Sequence, residues 1–195
     1  LCGREKCAFK KRPFAPGKLD SDRKHRSSVT EYGIQMKEKQ KMRKSYGVSE
    51  SQFKRYVTNS TAESKKAGLA QSVALYQRLE RRLDNVVFRS HFTHSIFNAR
   101  KMVSEGRILV NGRKTTWPDY RLNNGDILQI DPKYWKEVYP VASNPFQRIW
   151  SFLPSYLEVS YSTLSTVLLR SPKFSEIPSP YPKSMIENMG AFYSK

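Results

Sequence analysis

The sequence predicts an α+β fold: a basic N-terminal arm and small helical domain over 1–71, a two-helix plus small antiparallel sheet module over 72–130, and an irregular C-terminal extension over 131–195. Three observations predict it. Apolar residues recur at helical spacing between residues 30 and 103, short strand-like runs surround Asn-Gly between 107 and 130, and prolines interrupt the chain beyond 131.

The arm comes first. Residues 1 to 28 mix basic side chains with Pro13, Pro16, Gly3 and Gly17 and show no apolar period, so they read as extended chain. Thr30 then suits the cap of a helix through Tyr32, Ile34 and Met36 into the basic run Lys37–Lys44, ending near Gly47. A second helix begins at Ser49, with Phe53, Tyr56 and Val57 forming its apolar stripe while Lys54 and Arg55 face elsewhere. Residues 59 to 71 are small and polar and read as a connector.

A third helix is expected from about Ser72 to Arg89, with Leu75, Leu79, Leu83 and Val86 or Val87 on one face and Arg78, Arg81, Arg82 and Arg89 on the other. Ser95 caps a shorter helix whose inner face is Ile96, Ala99, Met102 and Val103, and Gly106 stands where a left-handed residue is wanted. Arg100 and Lys101 then point outward. Asn111-Gly112 tolerates positive φ at both central positions of a tight hairpin between Arg107–Val110 and Arg113–Thr115. Asn123-Asn124-Gly125 is a second turn signal before the strand Asp126–Ile130. Beyond Asp131-Pro132, Leu157–Val159 and Thr166–Leu169 are expected strands, and the frequent aromatics, Trp135 and Trp150 among them, predict packing against something.

Composition bounds the function. Among 195 residues, 35 Lys and Arg face 17 Asp and Glu, a net charge of +18, which calls for a polyanion. The charge is uneven: residues 1 to 66 carry 18 basic and 7 acidic groups, net +11, whereas 131 to 195 carry 7 and 5, net +2. Phosphate backbones bind such a surface in a salt-dependent way, because each neutralised phosphate releases condensed counterions. No apolar run approaches the roughly 18 residues of a spanning helix, so no membrane partner is expected. Two cysteines make no disulfide framework. The chain opens on Leu1 in place of Met, which implies processing, truncation or residues upstream. There is no Walker sequence, Gly-rich dinucleotide loop, HExxH or nucleophile elbow, so no enzyme is expected. His91 and His94 read as loop or RNA-contact residues, Asn85 and Asn111 as structural, and Asp84 as an ion-pair or capping partner.

Four segments in order, Arg81-Arg82-Leu83-Asp84-Asn85-Val86-Val87-Phe88-Arg89, Ala99–Val103, Gly106–Gly112 and Gly125-Asp126-Ile127, resemble the RNA-binding module named after the fourth small-subunit ribosomal protein. Cys7–Gly17, Tyr32–Gln35 with Lys39–Lys41, Tyr46–Val48 with Gln52-Phe53, and the final Phe192–Lys195 resemble the rest of that family. The same module occurs in RNA-modifying enzymes and in a ribosome quality-control factor, which stand as the alternative.

The resemblance implies a structural constituent of the small ribosomal subunit, a primary binder at an rRNA multi-helix junction that nucleates assembly, contacts neighbouring ribosomal proteins and lies near the mRNA entry. RNA contacts are then expected in two patches: Lys10, Lys11, Arg12, Lys18, Arg23, Lys24, Arg26, Lys37, Lys39, Lys41, Arg43, Lys44 and Arg55, and a second set of Arg81, Arg82, Arg89, Arg100, Lys101, Arg113 and Lys114. Cys2 and Cys7 resemble the second pair of a four-cysteine zinc site found in bacterial members. The first pair is missing, so structural zinc is expected only if further ligands come from outside this chain. Pro154–Val159 and Glu176–Pro180 resemble mitochondrial members, so the mitochondrial ribosome is the expected location, with plastid and bacterial cytoplasm as alternatives.

Overall fold

The computed structural model describes residues 11–12, 30–144 and 152–177. Helix α1 spans Glu31–Ser45, and the Thr30 hydroxyl accepts from the Gly33 N–H at 3.2 Å, as its position before the helix predicts. Helix α2 spans Glu50–Ala67 behind a full capping box, Ser49 with Gln52.

The connector expected over 59–71 is therefore corrected: most of it is the C-terminal half of α2. Its hydroxyls hide inside the helix, since Ser60 donates to Val57 O at 2.7 Å, Thr61 to Val57 O at 3.0 Å and Ser64 to Thr61 O at 2.9 Å. Each satisfies its own hydroxyl without leaving helical backbone, so a polar stretch stays helical until Gly68.

The single helix expected over 72–89 is two, α3 (Gln71–Glu80) and α4 (Leu83–Arg89). A distant loop breaks it. The Leu83 N–H donates to Tyr120 O at 2.9 Å, Asp84 N–H to Pro118 O at 3.1 Å, and Leu122 N–H to Arg81 O at 2.9 Å. Those bonds take the backbone groups that a continuous helix would use. Helix α5 (Ile96–Ser104) is capped by Ser95, whose hydroxyl accepts from Asn98 N–H at 3.2 Å.

The chain then forms β1 (Ile108–Val110) and β2 (Arg113–Lys114) around Asn111 and Gly112, at φ of 51° and 77°. Asn111 does more than turn the chain: its side-chain amide donates to Asp126 Oδ1 at 2.9 Å and accepts from Ile127 N–H at 2.9 Å. The next strand, β3 (Ile127–Ile130), is thereby fixed to β1 in the register Val110 to Leu128. After helix α6 (Trp135–Ser143), strands β4 (Leu157–Ser160) and β5 (Ser165–Leu168) complete an antiparallel sheet of order β2-β1-β3-β5-β4. The sheet thus crosses the boundary placed at residue 130.

Two hydrophobic cores result. Leu83, Val87, Ala99, Val103, Ile108, Leu128, Tyr156 and Leu168 belong to one, under the sheet. Met42, Tyr46, Phe53, Val57, Leu75, Tyr76 and Leu79 belong to the other, between α1, α2 and α3. Full burial of each large side chain contributes roughly 1.5–3 kcal/mol.

Gly106, at φ 68°, ends α5 beneath the stem of Lys114. A Cβ there would meet only the flexible far end of Lys114, which can move aside, but it would stand in a backbone region that L-residues disfavour. Gly106→Ala is expected to lower unfolding free energy by about 1–3 kcal/mol, read from the urea midpoint at unchanged m-value.

Candidate nucleic-acid interface

A helix turns 3.6 residues per turn, so Lys37, Lys41 and Lys44 of α1 share one face, and all three are exposed. Lys39 sits on the opposite face with buried Gln35 and Met42, its ammonium 2.6 Å from Glu50 Oε1. Arg43 is half-buried and donates to Gln40 Oε1 at 2.7 Å. Arg55 is exposed on α2, Lys101 on α5, and Arg113 and Lys114 on the hairpin strand β2. Lys11 and Arg12 are exposed too. Lys10, Lys18, Arg23, Lys24, Arg26, Cys2 and Cys7 lie outside the described residues.

The expected contacts from Arg82, Arg89 and Lys39 need correction, because these side chains are internal. Arg82 is 1% exposed and grips Asp84 with two bonds, Nε to Oδ1 at 3.0 Å and Nη2 to Oδ2 at 2.6 Å. Its third arm donates to the Tyr56 hydroxyl at 2.5 Å, tying α4 to α2. Burial and then Arg82 act on Asp84 in opposite directions, and burial wins: the carboxyl lies above its ordinary value. Arg89 is committed to Glu80, at 2.9 and 2.7 Å. Two further arginines are half-buried and hold backbone. Arg81 donates to Leu122 O at 2.8 Å, and Arg100 to Gly47 O at 2.8 Å, pinning α5 to the turn after α1.

Glu80 lies where the two cores meet. It is fully buried and accepts from the Tyr46 hydroxyl at 2.5 Å, the Tyr156 hydroxyl at 2.8 Å and the Asn85 amide at 2.6 Å, besides Arg89. Burial alone would raise its pKa. The Arg89 guanidinium and the two tyrosine donors outweigh burial and hold the carboxyl below the ordinary carboxylate value.

Among the described residues, clefts open beside the exposed cations. One, of about 350 Å³, is lined by Arg55, Tyr56, Asn59, Arg78, Arg82, Asp119 and Arg121. Glu63 holds two of those arginines at once, Arg78 at 2.5 Å and Arg121 at 2.8 Å. Sequence reasoning missed Arg121 because only the docking of loop 117–122 onto α4 brings it to α2. Another cleft lies along the hairpin.

The surface therefore separates from the frame: exposed cations on α1, α2, α5 and β2 meet solvent, while internal arginines fix the elements that carry them. A profile described as the ribosomal protein S4/S9 N-terminal domain matches residues 1–80, and one described as the S4 domain matches residues 81–128. Small ribosomal subunit protein uS4 of Thermosipho africanus is 40% identical over 177 residues, 90% of this chain and 80% of that protein. Its counterpart in Kosmotoga olearia is 38% identical over 195 residues, all of this chain and 88% of its own length.

The chain belongs to the uS4 family.

For a uS4 family member, the join between the two matched regions is informative. It falls between Glu80 and Arg81, where α3 gives way to α4 and where Glu80 links both cores. These two uS4 relatives, and that of Dictyoglomus turgidum at 38% identity, are bacterial. Among the described residues no helix is long and apolar enough to cross a membrane.

Proposed function

We propose that this chain is a structural, non-catalytic constituent of the small ribosomal subunit that binds its rRNA. The carrying observation is the division of its cations: Lys37, Lys41, Lys44, Arg55, Lys101, Arg113 and Lys114 are exposed, while internal side chains tie α1 to Glu80, α2 to Arg82 and α5 to the turn after α1. A rigid array of this kind reads the spacing of phosphates, which is how a folded RNA junction differs from plain duplex. The finer reading is a primary binder at a multi-helix junction that nucleates assembly, touches neighbouring ribosomal proteins and lies near the mRNA entry. The half-buried Arg43, Arg81 and Arg100 would act mainly by holding that array in shape.

Binding to a small-subunit rRNA junction fragment tests this. Affinity should fall linearly with the logarithm of salt, and replacing Lys37, Lys41 and Lys44 by alanine should reduce the slope by about 0.7–0.9 for each phosphate no longer neutralised. Lys39→Ala should lower stability and leave the slope unchanged. Equal slopes for the triple variant and the parent chain would remove α1 from the interface.

Zinc enters this reading only with outside ligands, since Cys2 and Cys7 make two of the four a structural site needs. Metal analysis of ribosome-bound chain decides that. For compartment, the Pro154–Val159 and Glu176–Pro180 segments support a mitochondrial ribosome, and subcellular fractionation tests it against plastid and bacterial locations.

A further inference from the structure

Loop 117–122 turns two aromatic rings outward. Trp117 is 71% exposed and Tyr120 39%, although large rings ordinarily supply burial. Both line the hairpin cleft of about 590 Å³ with Val110, Asn111, Arg113, Lys114, Thr115 and Thr116. No carboxylate stands among these lining residues. The cleft presents an indole face, a phenol, two cations and two hydroxyls.

The cleft is also held firm. Pro118 O and Tyr120 O accept from the first residues of α4, and Tyr120 N–H donates to Trp117 O at 3.1 Å, so the rings stand on backbone fixed at three points. Lys114 passes close to Gly106 and is exposed at the cleft wall. The backbone that carries the rings is therefore already ordered when a ligand arrives.

We propose that this cleft takes one unpaired nucleotide of RNA, its base stacked on Trp117 and its phosphate met by Arg113 and Lys114. The inference rests on the rRNA-binding reading and goes beyond it, because phosphate contacts alone need no exposed indole. A duplex keeps its base faces covered, whereas a base splayed from a junction or loop offers a flat π-surface that an aromatic side chain can cover. The lining favours a nucleotide over a protein partner: two cations without a carboxylate suit a phosphate, and an exposed indole offers a base a face to stack on.

The test uses the full chain with Trp135→Phe and Trp150→Phe, leaving Trp117 as the sole tryptophan. The probes are an rRNA junction fragment containing unpaired nucleotides and a fully paired RNA duplex of equal length. The junction fragment should quench Trp117 emission and the duplex should not. Trp117→Ala should weaken junction binding roughly tenfold, as loss of one stacked base does, at unchanged salt slope. Trp117→Phe should recover part of the loss. Junction binding with no quench, or at full affinity in Trp117→Ala, overturns the proposal. If the parent chain fails to bind the fragment, the rRNA reading itself fails, an outcome distinct from the other two.

Discussion

Replacing Glu80 by alanine should cost about 3–5 kcal/mol of folding free energy, because it leaves the Arg89 charge buried without its partner. The loss goes beyond one pair. Tyr46, Asn85 and Tyr156 also donate to this carboxylate, and they come from the end of α1, from α4 and from the residue before β4. Glu80 therefore couples the helical core to the sheet core, and its removal should separate their unfolding. Helical circular dichroism and tryptophan emission should share one urea midpoint in the parent chain and report different midpoints in the variant. The acid limb follows from the same geometry. Glu80 titrates below the ordinary carboxylate value in the folded chain, so its contribution is complete above the unfolded value of about 4.3 and is lost as pH falls through the folded one. Glu80→Gln should flatten the loss of stability below about pH 4.

Arg82→Ala should have an effect of similar size, about 3–5 kcal/mol, for the reciprocal reason: Asp84 would stay buried with its guanidinium gone. Tyr56 would lose the donor that links α2 to α4. The salt slope of RNA binding should not change, provided it is measured where the variant remains folded. Arg55→Ala should do the opposite, moving stability by less than about 0.5 kcal/mol while reducing the slope. If Arg82→Ala reduced the slope as Arg55→Ala does, the internal assignment of Arg82 would be contradicted.

These contrasts show which signals a sequence carries. The Asn111-Gly112 hairpin was legible because its cause is local: two adjacent residues that accept positive φ. The caps at Thr30, Ser49 and Ser95 were legible on the same grounds. The polar run after Asn59 misled because Ser60, Thr61 and Ser64 satisfy themselves on the preceding turn, which composition does not reveal. The break at Arg81 was hidden because its cause, loop 117–122, lies about forty residues away.

The charged side chains divide in the same manner. Lys39 could have been set apart from Lys37, Lys41 and Lys44 by helical phase alone, since it shares a face with Met42. Arg82 and Arg89 could not. Folding alone brings Tyr56 to Arg82, and Tyr46 and Tyr156 to the Glu80 that pairs with Arg89. Basic count measured the total charge correctly but could not tell cations that face solvent from cations that hold the frame.

Ribosomal membership through rRNA binding requires that the chain travel with small subunits. Small subunits purified through a sucrose gradient at moderate salt, from the source of this chain, test it most directly by quantitative mass spectrometry. One copy of the chain per small subunit, released only as salt is raised, is the predicted result. Small subunits that lack the chain, or carry it at a small fraction of stoichiometry, would contradict it.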